Sequence, residues 1–515
     1  MTGIIDGFRI ISSDPEMKSS HFPNHSVCYQ PQNKEKIDKL LRSEIAEGKY
    51  VVTSTPPVII SPLLVVPKDN GTIRLIQDCS YSTPGNTALN DLAHSDFKIK
   101  YQTVQNAINM LQPGYFMCKL DLRSAYRSVP IHPKDYKLTG IQWKFSGDFA
   151  PTYMYDTMLM QGAKLSPMIF HRLSQSIQRY VKKQGITMIA YLDDFLLISK
   201  TYQEAIQHQI YCIKLLRRLG FSLAWEKVVG PTEKLTFLGV ELNSIEMTIA
   251  LPQEKIECFK EMLHTFSQKK RASRKQLEKL CGKLSWAASV IKAGRCYLRR
   301  IFNLLLPLCK PYHKIQLTAD FYADIQLWVS VMDHFPGKRI IHNHNVHTVF
   351  IDSCNTGCGA IHGLDWLYVN WDMDLPDLAK AHINVKETVT SIFAVRRWAK
   401  KFKNSKVVFF TDNTTARANI SKGTSITPEI MPWLRELHYI ATLYNFDIVS
   451  IHIPGEQMPA DDVSRLDELG HLRSFMSASG YHSLSECALF LWRLPLYMTV
   501  KSALFIYEQV MLKDG

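Results

Sequence analysis

The run Met188-Ile189-Ala190-Tyr191-Leu192-Asp193-Asp194-Phe195-Leu196-Leu197-Ile198 sets two adjacent aspartates between two apolar segments. Short apolar runs on either side of a polar pair read as a β-hairpin with the carboxylates at its turn. Adjacent aspartates in such a setting are costly unless something neutralises them. A divalent cation does so most simply, because hard cations take oxygen ligands from one or two carboxylates. The plainer reading is a polar turn. Roughly 70 residues upstream a second apolar strand ends on a carboxylate, Asp121, in Lys119-Leu120-Asp121-Leu122-Arg123-Ser124-Ala125-Tyr126. Two cations about 4 Å apart between such carboxylates could activate a hydroxyl and stabilise a pyrophosphate leaving group.

Around this pair the pattern is α+β. Asn33 to Gly48 reads as a helix with Ile37, Leu40, Leu41 and Ile45 on one face, and Ser61–Pro67 and Thr72–Asp78 form a hairpin about Asp69-Asn70-Gly71. Helices are expected from Ser166-Pro167 and over Tyr202–Leu219, and Lys255 to Leu308 reads as helical and basic. A break at His334–His347 precedes a new β pattern from Thr348. The 515 residues suit about three structural units. Sixty-one Lys and Arg against 47 Asp and Glu leave a charge of +14, which draws the chain toward polyanions. The 11 cysteines lack zinc-finger spacing, Cys354 and Cys358 being the closest pair, and read as reduced intracellular thiols. Neither a signal peptide nor a membrane-spanning run is legible, so no membrane partner is expected and the chain is expected to be cytoplasmic or nuclear.

The order of these pieces resembles the reverse transcriptase family over most of the chain. Asp121 with Tyr126 is similar to polymerase motif A, which implies a metal ligand and a steric gate against the ribose 2′-hydroxyl. Gln161-Gly162-Ala163-Lys164-Leu165-Ser166-Pro167 resembles motif B, placing Gln161 and Gly162 against the incoming nucleotide and template base. Tyr191-Leu192-Asp193-Asp194 matches the YxDD box, Lys227 resembles the motif D lysine that protonates pyrophosphate, and Phe237-Leu238-Gly239 resembles the primer grip. Lys68 and Arg74 fall where the fingers of this family hold the triphosphate.

Beyond the break stands a second acidic set. Asp352 ends a strand, Glu387 lies one turn into a helix, Asp412 follows the strand Val407–Thr411, and Asp461 follows the loop opening at Pro454-Gly455. Each has a bland reading: a capping box for Asn384-x-x-Glu387, a helix cap for Asp412-Asn413, a solvated turn for Asp461-Asp462. Together they resemble the ribonuclease H family, which implies that Asp352, Glu387, Asp412 and Asp461 bind metal, with Asp462 as the alternative fourth ligand. His452 precedes the loop in which a phosphate-side histidine would sit.

The implied architecture is an N-terminal leader (1–45), fingers and palm of a right-handed polymerase (46–245), a helical thumb and connection (246–335), an α/β ribonuclease H-like domain (336–466) and an unassigned tail (467–515). The implied cofactor is Mg2+, two per site, with Mn2+ as the alternative, and Asp194 joins Asp121 and Asp193 in the polymerase metal set. The implied partners are an RNA template, a DNA primer, the RNA–DNA hybrid and dNTPs, with recombinase or integrase and capsid-like proteins on other chains. Leu280-Cys281-Gly282-Lys283-Leu284 and Ala460-Asp461-x-x-Ser464-Arg465 resemble most the DIRS group of tyrosine-recombinase retroelements. The rival reading is a non-catalytic nucleic-acid-binding remnant.

Overall fold

Strand Phe116–Asp121 lies inside a four-stranded antiparallel sheet, between Val229–Thr232 and Asp194–Ser199, with Thr187–Tyr191 at the far edge. The computed structural model describes residues 2–466 except 12–18, 68–70, 94–98, 292–293, 335–336 and 341–344, so Lys68 and the tail from 467 lie outside the described residues. Alternate side chains of a strand face opposite sides. Cys118, Leu120, Phe195 and Leu197 accordingly share one apolar cluster with Phe170 and Ile177 of helix Ser166–Lys183 and Cys212 and Leu216 of helix Tyr202–Arg218. Burial of that face specifies the register, which places Asp194 opposite both Asp121 and Tyr191. Helix Tyr202–Arg218 starts where it does because Thr201 and Glu204 cap each other reciprocally.

The elements that precede this sheet belong to the same compact unit, Met1–Leu238. Helix Pro31–Ala46 buries Ile37 and Leu41 against Trp143 and Met154 of a five-stranded sheet, and Leu63–Pro67 pairs with Ile73–Gln77 in the expected hairpin.

The second compact unit is Gly239–Gly515. Its helices Gln253–Ser267, Arg274–Ala287, Arg299–Leu305 and Ala319–His334 fall largely where helix was expected, with one correction. Arg271–Ser273 is a strand paired with Lys314–Gln316, because Ser273 must be extended to cap the next helix, its hydroxyl accepting from the Gln276 amide. Within the compositional break, Gly337–Arg339 pairs with Thr248–Ala250. The next sheet begins at Val346 and runs in the order Asp365–Asn370, Gly357–His362, Val346–Ser353, Lys406–Thr411, Asp447–His452. The first three strands are antiparallel and the last two join in parallel, with helix Ile383–Trp398 as the crossover. That helix packs Val389, Ile392 and Phe393 against Val349, Ile351 and Phe409.

Candidate functional site

In the first unit the turn between Tyr191 and Asp194 is only two residues long, and Leu192 takes φ +52° to close it. Ser124, three residues past Asp121, has φ +51°. A left-handed conformation costs a residue with a Cβ about 1 kcal/mol, and such strain gathers at functional sites. The backbone ties the two acidic segments together: the Leu122 amide donates to the Asp193 carbonyl at 3.2 Å, and the Ala224 amide donates to that of Asp121 at 2.9 Å.

Two ammonium groups reach these carboxylates. Lys227 Nζ stands 3.2 and 3.3 Å from the oxygens of Asp121, and Lys119 Nζ stands 3.3 Å from Asp194 Oδ1. Burial holds the Asp193 carboxyl above the usual carboxylate range, and Asp121 adds to this while Lys227 and Arg74 oppose it. Asp194 is raised by burial too, with Lys119 as the main opposing charge. Arg74 is exposed on its hairpin. The Tyr126 ring packs 5.4 Å from Phe170, and burial, reinforced by Asp193, pushes its hydroxyl up to about 12.

The Gln161-Gly162 loop is held against strand Ile73–Gln77, the Gln77 amide donating to the Gln161 carbonyl at 3.1 Å. Gly162 has φ +122°, and a Cβ there would lie 1.8 Å from the Gln77 oxygen, so only glycine fits. Asn90 braces the loop from outside, donating to the Gly162 carbonyl at 2.9 Å and accepting from the Lys164 amide at 2.7 Å. Tyr191 packs 5.3 Å from Tyr101. Phe237 is fully buried, and Leu238 and Gly239 both have positive φ, +49° and +81°. Lys119, Asn90 and Tyr101 escaped the sequence reading. Lys119 alone left a signal, two residues from Asp121 on the same strand face.

In the second unit one carboxylate oxygen from each of Asp352, Glu387 and Asp412 lies within 4.8 Å of the others. Parallel pairing of Phe350 with Phe410 brings Asp352 and Asp412 to the same end of the sheet. The capping-box reading of Asn384-x-x-Glu387 is corrected here, while the helix cap expected at Asp412-Asn413 is present in Asn413. His382 caps the Glu387 helix, and the Asn413 side chain caps the helix after Asp412 by accepting from the Thr415 and Ala416 amides, so neither carboxylate serves as a cap. Glu387 is instead buried, accepting from the Thr411 hydroxyl at 3.4 Å, and Asp352 accepts from the Ser464 hydroxyl at 2.6 Å.

Asp461 is not drawn into this group; its Oδ1 accepts from Arg465 Nε at 3.0 Å. Asp462 is outside the group as well, and His452 is exposed beside Thr411 on the neighbouring strand. Burial, with Asp352 and Asp412 beside it, pushes Glu387 up to about 9. Burial likewise lifts Asp352 to about 6, against the pull of Ser464. Two buried carboxylates that resist ionisation, with the half-buried Asp412 beside them, fit a hard divalent cation, which would restore the charged forms.

Residues 66–242 match the family model for reverse transcriptase (RNA-dependent DNA polymerase). The chain is 24% identical over 292 residues to the Gag-Pro-Pol polyprotein of Mason-Pfizer monkey virus, covering 56% of this chain and 15% of that protein. It is 23% identical over 280 residues to Polyprotein P3 of Commelina yellow mottle virus, covering 53% of this chain and 13% of that one. The chain therefore spans less than a sixth of the length of these relatives. Among solved structures, the foamy viral protease-reverse transcriptase in complex with double-stranded DNA is similar at a TM-score of 0.56 and 14% identity, covering 87% of each chain. The same viral protein in complex with RNA/DNA hybrid matches at 0.56 and 14% identity, over 86% of this chain and 56% of that one. The likeness shows a shared mixed α/β fold.

Proposed function

We propose that the chain is an RNA-directed DNA polymerase with a tethered ribonuclease H, copying retroelement RNA into DNA and degrading the RNA of the hybrid. The observation that carries the polymerase reading is the strained two-residue turn that holds Asp193 beside Asp121, inside the segment that matches the reverse transcriptase model. Asp121 and Asp193 would hold magnesium, or manganese in its place, with Asp194 as the supporting carboxylate. When bound, the two ions would lower the pKa of the primer 3′-hydroxyl and neutralise charge on the phosphates. Arg74 and Lys68 would contact the triphosphate, and Tyr126 would lie under the sugar. Lys227, more than half exposed on its turn, is free to leave Asp121 and give a proton to pyrophosphate. Gln161 Oε1, buried with no hydrogen-bond partner in the protein, supports a ligand at the motif B loop.

Asp352, Glu387 and Asp412 would hold the second pair of ions and position water against an RNA phosphate, with Asp461 joining if Arg465 releases it. Tethering presents the hybrid to this site at high effective concentration. The basic helices within residues 253–305 would follow phosphates. Ala460-Asp461-x-x-Ser464-Arg465 supports a place in the DIRS group, and the free thiols of the described residues support an intracellular enzyme. Recombinase and capsid-like functions would lie on other chains.

Primer extension on poly(rA)/oligo(dT) with magnesium tests the first activity, and no extension by folded, hybrid-binding wild type would sink it. Asp193→Asn should abolish extension and leave RNA cleavage intact. Asp412→Asn should do the reverse, and cleavage that persists in it would show the nuclease centre to be misplaced.

A further inference from the structure

We propose that Lys119 is a positioning residue that keeps Asp194 as its ion-pair partner and withholds it from the cation set, leaving Asp121 and Asp193 to bind the ions. The proposal rests on the polymerase reading and refines its metal site.

Lys119 lies two residues before Asp121 on the same strand, so both side chains leave the same face. Its Cα is opposite Leu196 on one neighbouring strand and Val229 on the other, and Asp194 sits on the first of these two residues before Leu196. The ammonium therefore meets Asp194 diagonally across the ladder, at 3.3 Å. Neighbouring strands on both sides hold the lysine stem. The Lys119 and Asp194 side chains are 19% and 24% exposed, against 57% for Lys227. A partly buried pair is screened much less by salt than an exposed one, so Lys119 is a fixed counter-charge where Lys227 is a mobile one.

Asp352, Glu387 and Asp412 bring one oxygen each within 4.8 Å of one another, whereas Asp121, Asp193 and Asp194 do not form such a group. Asp193 lies in the turn, whereas Asp194 opens the strand that follows it and shares that strand's register with Asp121. With Lys119 in place, Asp194 is held in an ion pair at the start of its strand and contributes no net charge to the ions.

The test measures Mn2+ binding by electron paramagnetic resonance, in the full chain carrying Asp352→Asn and Asp412→Asn so that bound ion reports the first site. Lys119→Met should bind Mn2+ about three- to tenfold more tightly, because removing the ammonium releases a carboxylate toward the ions. Asp194→Asn should stay within about twofold of the parent, and so should the Lys119→Met/Asp194→Asn double variant. Lys119→Arg, which keeps the charge, should match the parent and serves as the folding control alongside circular dichroism. Unchanged or weaker binding in Lys119→Met overturns the proposal, and so does an Asp194→Asn loss as large as that of Asp193→Asn. If the Mn2+ pattern holds but the wild type extends no primer, the polymerase reading fails and the ion-pair assignment stands.

Discussion

Asp324 Oδ2 and Arg435 Nη2 meet at 2.8 Å across 111 residues of sequence, joining helix Ala319–His334 to helix Met431–Leu443 inside the second unit. Asp324 is fully buried and also accepts from Arg300 Nη1 at 3.2 Å, while the Cys296 thiol lies 3.8 Å from the Leu434 carbonyl. Removing one member of a buried pair leaves the other charge uncompensated, at a cost of about 3 kcal/mol or more. Asp324→Asn should therefore lower the urea midpoint of this unit by an amount of that size and speed amide exchange in helix Met431–Leu443. Asp320, two-thirds exposed on the same helix, pairs with Arg300 at the surface, and Asp320→Asn should cost less than about 0.5 kcal/mol.

Stability at the second acidic cluster should depend on pH and cation together. Glu387 has an ordinary value of 4.5 and a folded value of about 9, and Asp352 rises from 3.8 to about 6. Raised folded values mean that the stability these groups contribute is complete below about pH 4 and is lost as pH climbs through 6 and on toward 9. In EDTA the thermal midpoint of this unit should fall from pH 5 to pH 9. Excess Mg2+ should reverse most of the fall, and Glu387→Gln should flatten it. A midpoint indifferent to both would contradict the burial of these carboxylates.

Acid should act on the same unit through His438. Its ring is buried, its Nε2 donates to the Ile420 carbonyl at 3.2 Å, and burial lowers its value from 6.5 to about 4. A depressed folded value puts its stabilising share above pH 6.5 and removes it as pH falls through 4. His438→Gln, which keeps a donor near Nε2, should flatten the melting midpoint between pH 6.5 and 4 relative to wild type.

Gly162 offers a backbone test of the polymerase site. With φ +122° and the Gln77 oxygen 1.8 Å from where a Cβ would lie, Gly162→Ala forces the loop off strand Ile73–Gln77. The strain and the lost contact are worth about 3 kcal/mol. Primer extension should drop on the order of 100-fold. RNA cleavage by the second unit should stay at the wild-type rate, and retained extension would show that the loop does not touch the nucleotide.

Local pattern made much of this molecule readable. Short apolar runs around Asp121 and Asp193 marked the strands there, Ser166-Pro167 marked a helix start, and Asp69-Asn70-Gly71 marked a hairpin now seen as Leu63–Pro67 paired with Ile73–Gln77. Asn384-x-x-Glu387 left a cap and a metal ligand both open, because capping-box spacing says nothing of which way the glutamate faces. His382 caps that helix, and the sheet buries Glu387 beside Asp352. Asp461, expected as the fourth ligand, stands outside the cluster with its carboxylate paired to Arg465 four residues on.

By itself the sequence determined the strands that lead into or out of Asp121, Asp193, Asp352 and Asp412, because short apolar runs bounded by polar turns read as buried strands. It determined the helix carrying Glu387 through its apolar periodicity. Tertiary structure alone decided what surrounds each carboxylate. Lys119 reaches Asp194 across a ladder, Ser464 reaches Asp352 from 112 residues away, and Asp324 gathers two arginines from separate helices. Such partners are chosen by register and packing between distant segments, and electrostatic energy depends on distance and burial, neither of which is encoded in local order along the chain.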